Sequence, residues 1–214
     1  MTYRRRDPFH RRARAEGYRA RSAYKLLEFD RRFRLLRRGD FVIDLGAWPG
    51  GWLQVVLDRV GPGGRVVGVD VAPVRPLGAP NLLLLRGDVH DPSIGRSVID
   101  YLGRPGDVVL SDLAPKLTGI RVTDEARCLD LGATALSLLP ALLRPGGRFV
   151  IKLFTGPETD AFLARLAGEF HDLKVTRPEA TRRSSAEVYG VGLDYRGTRD
   201  TGRGLDPHPR SRGC

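Results

Sequence analysis

The chain has 214 residues, 41% of them hydrophobic, two cysteines and a formal net charge of +11. That length suits one domain with short appendages, and the apolar share supports a buried core and excludes wholesale disorder. Cys128 and Cys214 are too few and too far apart for a disulfide framework or a zinc site, so a reducing, cytoplasmic setting is expected and no metal.

Residues 1–18 show no apolar periodicity and are expected to form a flexible basic arm. No apolar stretch follows Met1-Thr2-Tyr3-Arg4-Arg5-Arg6, which argues against a secretory signal. An organelle transit peptide is the alternative reading of an Arg-rich leader. The charge is concentrated at this end. Residues 1–38 carry 13 Arg and one Lys against four acids, and residues 177–214 carry eight basic groups against five acidic ones, which leaves the body near −2. A nearly neutral body with a basic arm suits a catalytic core that meets a polyanion, and the planar Arg fork suits phosphate oxygens. A solubility tag, a dock for an acidic protein, or the Arg enrichment of a G+C-rich genome would give the same excess.

Residues 19–38 place Ala23, Leu26, Leu27, Phe33 and Leu36 at spacings of three, four and seven. That predicts one amphipathic helix with Arg21, Lys25, Arg32 and Arg34 on its other face. Short apolar runs then alternate with helical stretches. Strands are expected at 41–45, 65–70, 81–86, 107–112, 147–154, 172–176 and 187–193. Helices are expected at 51–60, 92–102, 123–143 and 157–170. Continuous apolar strands alternating with helices predict an open α/β sandwich with a mostly parallel sheet, whose ligands sit at the carboxyl ends of the strands. No apolar run approaches the roughly 18 residues that span a bilayer, so no membrane partner is expected. The Gly-, Pro- and Arg-rich stretch 196–214 is expected to be a disordered tail, which makes 19–195 the folded domain.

The first strand ends in Asp44-Leu45-Gly46-Ala47-Trp48-Pro49-Gly50-Gly51-Trp52. Glycines there let backbone pass close to a bound molecule, and the next helix points N–H groups at an anionic end. The stretch lacks both G-x-G-x-x-G and G-K-[ST], so it matches neither a dinucleotide nor a triphosphate loop. A nicotinamide oxidoreductase is thereby disfavoured. A nucleoside cofactor without phosphates, such as S-adenosylmethionine, fits instead. Asp70 ends the second strand, where an acid takes ribose hydroxyls. Asp88 follows the third, where a carboxylate can take an adenine amino group. Each of these acids alone could be a turn or cap residue.

Four further residues carry charge into apolar surroundings or onto strand ends. They are Lys25 in Arg21-Ser22-Ala23-Tyr24-Lys25-Leu26, Asp112 in Leu110-Ser111-Asp112-Leu113-Ala114-Pro115, Lys152 in Phe149-Val150-Ile151-Lys152-Leu153-Phe154, and Glu187 in Ser184-Ser185-Ala186-Glu187-Val188-Tyr189. An unpaired Lys in an apolar strand costs several kcal/mol, so Lys152 needs either a structural partner such as Asp112 or a chemical purpose.

With these segments the chain resembles the FtsJ family of ribose 2′-O-methyltransferases, and closely its bacterial members that act on large-subunit ribosomal RNA. The likeness spans roughly residues 19–195. It implies a Rossmann-like methyltransferase fold with seven strands, the last antiparallel. It also implies S-adenosylmethionine as cofactor, contacted by Gly46, Gly50, Trp52, Asp70, Asp88 and Asp112. The family's Lys-Asp-Lys-Glu tetrad falls on Lys25, Asp112, Lys152 and Glu187, with Lys152 as proton acceptor. The implied substrate is a uridine of 23S ribosomal RNA in the assembled 50S subunit, met by a monomer. A transfer-RNA or messenger-RNA-cap substrate, or a non-catalytic ribosome-assembly role, is the alternative. Three features depart from the family: Trp48 stands where a smaller residue is usual, Lys116 replaces a commoner Asn, and the tail is long. Burial and a second lysine favour a neutral Lys152 amine, whereas Asp112 and Glu187 favour the ammonium.

If the basic arm grips phosphates, log affinity for RNA falls with log salt by about 0.7–0.9 for each phosphate neutralised. Removing the arm should flatten that slope. A slope unchanged in a salt titration of RNA binding would place the arm outside the RNA footprint.

Overall fold

The computed structural model describes residues 8–182 and 185–197. Within them lie α1 (Pro8–Ala15), α2 (Ala23–Phe33), β1 (Phe41–Leu45), α3 (Gly51–Val60), β2 (Arg65–Asp70), β3 (Leu82–Arg86) and α4 (Pro92–Leu102). β4 (Gly106–Ser111), α5 (Arg121–Leu142), β5 (Leu143–Phe154), α6 (Thr159–Glu169), β6 (Phe170–Thr176) and β7 (Glu187–Tyr195) complete the order. The strands form one sheet in the order β3-β2-β1-β4-β5-β7-β6. Only β7 runs against its neighbours, pairing antiparallel with β5 and β6. The mostly parallel α/β sheet is what the alternating apolar runs predict, and its Rossmann-like order with an antiparallel last strand is what the family resemblance implies.

Both faces of the sheet are covered, so successive strand residues go to opposite cores. Ile43, Val67, Val109 and Ile151 face the side packed by α4, α5 and α6. Val42, Val66, Val108 and Val150 face the side packed by α2 and α3. The chain leaves β1 outward through β2 and β3, then returns to lay β4 on the other side of β1. That reversal opens a crevice beyond the carboxyl ends of β1 and β4.

The basic N-terminal stretch is more ordered than its lack of apolar periodicity predicts. Residues 1–7 lie outside the described residues, as do 198–214 of the expected tail. Residues 8–15, however, form α1, whose Ala13 is buried with Tyr24 and Ala180, while Phe9 packs against Tyr24. Packing of Ala13 and Phe9 on Tyr24, with Arg12 over the same ring, docks the helix.

The helix expected over 19–38 is also shorter. Residues 19–22 are pinned elsewhere, because the Arg19 amide donates to Gln54 Oε1 at 2.8 Å and its guanidinium to the Arg75 and Pro76 carbonyls. The helix stops at Phe33, where Arg34 turns left-handed at φ 52° and its N–H caps Asp30 O. Leu36 is then buried as extended chain, with its amide bonded to Asp30 Oδ1. Lys25, placed by periodicity on the polar face, is 5% exposed.

Asp107 ties the opposite end of the sheet together. Its carboxylate accepts the Phe41 amide at 2.8 Å, Arg104 Nη2 at 2.7 Å and Arg144 Nε at 2.6 Å. Burial alone would raise its pKa, but the hydrogen bonds from Arg104, Phe41 and Arg144 prevail and hold it at about 2. A depressed carboxylate contributes stability above its unfolded pKa and loses it as pH falls toward the folded value. Here the contribution is about 2 kcal/mol, present above about pH 4 and lost toward pH 2. In urea unfolding, Asp107→Asn should be less stable than the parent by about that amount at pH 7, and the gap should close across that window. A gap independent of pH would show that the ionised group is not what stabilises.

Candidate active site

The crevice at the ends of β1, β2 and β4 is a cleft of about 360 Å³, lined among others by Gly46, Trp48, Asp70, Asp88, His90 and Asp112. Gly46 turns the chain at φ +85°, and a Cβ there would lie 2.8 Å from Leu113 N, so only glycine lets the β1 and β4 loops approach. Asp70 is fixed by the Ala72 amide at Oδ1 and the Trp48 amide at Oδ2, both at 2.8 Å. Asp88 accepts the His90 amide and ring nitrogen at Oδ1; the amide hydrogen bond, then the ring, hold its pKa below the usual range. Trp48 stands at the rim, 60% exposed.

Beneath this turn, Asp44 is wholly buried and neither of its carboxyl oxygens has a hydrogen-bond partner. Burial first, and then the fields of Asp112 and Asp70, raise its pKa well above the ordinary value. The cleft therefore gathers acceptors and negative potential with few donors of its own. It suits a ligand that brings hydroxyl and amino donors together with positive charge.

Next to it, the four charged residues form one chain of contacts. Lys25 Nζ donates to Glu187 Oε2 at 2.5 Å and to Tyr189 Oη at 2.9 Å. Tyr189 Oη donates in turn to Asp112 Oδ1 at 3.0 Å. Lys152 Nζ donates to the Asp112 carbonyl at 2.7 Å and lies 3.2 Å from Oδ1. The strand register makes this possible: Lys152 faces Tyr189 across the β5–β7 ladder, and Glu187 faces Phe154 two positions along. Burial, then the neighbouring Asp112 and Glu187 charges, push the Tyr189 pKa well up, so it stays a neutral phenol able to donate and accept at once.

Lys25, Asp112, Lys152 and Glu187, which lie far apart in sequence, thus meet at one place. Tyr189 was not foreseen, although it lies two residues beyond Glu187 and so on the same strand face. Gly46, Asp70, Asp88 and Asp112 share the first cleft, but two expected contacts do not line it. At Gly50 a Cβ would lie 2.9 Å from Arg19 Nη1, so this residue meets the Arg19 side chain. Trp52 is 3% exposed, its Nε1 donates to Ser22 O at 2.8 Å, and its ring packs edge-on against Phe29. Its bulk holds α2 against α3, so at these two positions the chain offers a ligand backbone N–H groups at the start of α3 rather than side chains. Among the described residues no group of three or more His, Cys, Asp or Glu is placed to hold a metal.

Residues 18–195 match the FtsJ-like methyltransferase family. The chain belongs to that family. Ribosomal RNA large subunit methyltransferase E of Methanothermobacter thermautotrophicus is 44% identical to this methyltransferase over 91% of its chain and 92% of the relative's. The protein of the same name from Myxococcus xanthus is 45% identical over 91% of each. Among solved structures, a ribosomal RNA methyltransferase from Plasmodium falciparum superposes with a TM-score of 0.75 at 25% identity, covering 85% of this chain and all of that one. Aeropyrum pernix fibrillarin, solved with S-adenosyl-L-methionine, shares the fold with a TM-score of 0.58 at 18% identity, covering 83% of this chain and 76% of that one.

The methyltransferase is S-adenosylmethionine-dependent, and the acid-lined cleft fits that cofactor. The space kept by Gly46 and the unpartnered Asp44 carboxyl are the observations that accord with a cationic nucleoside there.

Tyr189→Phe removes the hydroxyl between Lys25 and Asp112 while keeping the packed ring. A neutral hydrogen bond is worth about 0.5–1.5 kcal/mol, so kcat should fall about two- to tenfold with cofactor affinity unchanged. An unaltered kcat would mean that the phenol only fills space.

Proposed function

We propose that this methyltransferase moves a methyl group from S-adenosylmethionine to the ribose 2′-hydroxyl of a uridine in large-subunit (23S) ribosomal RNA, acting as a cytoplasmic monomer on the 50S subunit. One observation carries the reading: a buried Lys152 held by Asp112 at the edge of the acid-lined cleft. The names of the similar proteins supply the RNA. A pure binding module has no physical reason to keep two lysines at 5–6% exposure.

When bound, S-adenosylmethionine supplies an electrophilic methyl on a sulfonium that leaves well, so the protein's tasks are alignment and proton removal. Asp112 borders both places, lining the cofactor cleft and holding Lys152. Lys152 Nζ receives the ribose 2′-hydroxyl and takes its proton, with the Asp112 carboxylate and carbonyl fixing the direction of Nζ. Lys25, neutralised by Glu187, steadies Tyr189, which in turn keeps Asp112 from rotating. Fixing a reacting pair in this way can contribute roughly 7–11 kcal/mol in well-oriented systems. Gly46, Asp70, Asp88 and Asp112, with the backbone around Gly50 and Trp52, would hold the cofactor. Exposed arginines on α1 and Lys116 on the loop after β4 give the RNA backbone a basic approach.

The test is transfer of labelled methyl to 50S subunits from cells lacking the enzyme. Label should appear on a uridine ribose, and Lys152→Ala should lower the rate about 10²–10⁴-fold while still binding cofactor. Full turnover by that variant would exclude Lys152 as base. Cofactor binding with no label on subunits would point to a different RNA.

A further inference from the structure

A second cleft, of about 380 Å³, opens beside Glu187 on the side away from the cofactor residues, and its lining includes Glu125, Phe154, Leu117 and Arg121. It begins two ladder positions from the reacting group. Glu187 and Phe154 are cross-strand partners, two residues along from the Lys152–Tyr189 pair. Two residues of strand span about 7 Å, which is the scale of the reach from a ribose hydroxyl to the pairing edge of its own base.

Two adjacent acids at the start of α5 border this cleft and are treated very differently. Asp124 is spent on the fold: it accepts the Thr118 amide and hydroxyl, both at 2.7 Å, and the Gly119 amide at 3.1 Å. Glu125 is 6% exposed, yet no described residue gives it a hydrogen bond or ion pair. Its carboxylate is pressed against Gly156, where any Cβ would fall within the carboxylate itself. Among the described residues, the fully buried side-chain oxygens without a partner belong to Asp44 and Thr181, so the unpartnered Glu125 carboxylate reaches the cleft that it lines and is free to accept a ligand donor there.

The geometry points to this cleft as the seat of the target base, with Glu125 accepting the imino N–H of uracil. This rests on the ribose-methylating reading above. The surroundings agree with it: Phe154 offers an aromatic ring on the strand that carries Lys152, and exposed Leu117 adds apolar surface, as unstacked bases require. Uracil N3 carries a proton that an acceptor can receive. Cytosine N3 has none and would bring its lone pair against the carboxylate. Glu125 is accordingly a specificity residue, distinct from the groups that move the proton.

The experiment compares 50S subunits bearing the target uridine with subunits bearing cytidine at that position, for the parent enzyme, Glu125→Gln and Glu125→Ala. The amide variant keeps the size of the side chain against Gly156 but adds an N–H that cytosine N3 can accept. Matched base contacts are worth about 1–3 kcal/mol, so the uridine-over-cytidine ratio of kcat/KM should fall about 5- to 150-fold in both variants. Cofactor affinity and Tm of the Gln variant should stay at parent values. A merely structural Glu125 would lower both substrates together and leave the ratio intact, and that result would overturn the inference while sparing the functional reading. A parent enzyme that labels no ribose would sink both.

Discussion

Two lysine side chains sit in the interior of a sheet protein, and keeping them paired constrains much of the molecule. Lys25 comes from the helix packed on one face of the sheet and Lys152 from the strand beneath it. Neither could be buried alone at acceptable cost. The solution is an alternating row, Glu187–Lys25–Tyr189–Asp112–Lys152, drawn from three separate elements and the loop after β4. The row explains why α2 must lie across β7, why Trp52 is buried to hold α2 there, and why Tyr189 rather than an apolar residue lies opposite Lys152.

The same row joins two compartments of different character. On one side, carboxyl groups on β1, β2 and β4 and their following loops make a cleft rich in negative potential. On the other, the cleft next to Glu187 is bordered by arginines, an aromatic ring and the acids Asp124 and Glu125. Asp112 belongs to both the row and the first cleft, and Glu187 to both the row and the second. The two clefts have no lining residue in common, and the row that ends at Lys152 runs between them.

Much of this was legible in the residues, for physical reasons that also set the limits. The central strands β1, β2, β4 and β5 are buried on both faces, so each reads as a continuous apolar run, and Lys152 stands out in one of them. The turn at Gly46 and the strand-end acids at Asp70 and Asp88 follow from local chemistry and lie where expected. What failed were readings that depend on distant partners. The periodic residue Leu36 is buried outside the helix because Asp30 and Arg34 end the helix before it. Lys25 looked like a solvated face because its acceptors lie more than 160 positions away. Trp52 and Gly50 can meet a ligand only through their backbone, because α2 and Arg19 occupy the surroundings of their side-chain positions. The docking of α1 rests on Ala13, Phe9 and Tyr24, too few residues to leave a periodic trace.

The β5–β7 ladder makes register a matter of chemistry as well as of stability. Side chains alternate across a strand, so a shift of one position would send Tyr189 and Glu187 to the opposite face and swap Val188 and Gly190 into their places. The segment joining β6 to β7 contributes no member of the row. It can lengthen or shorten between homologous proteins without disturbing the row, whereas insertion of even one residue between Glu187 and Tyr189 would separate the two acceptors of Lys25. Length variation in this part of the chain should thus be confined to the connection, with the strand itself held to a fixed count.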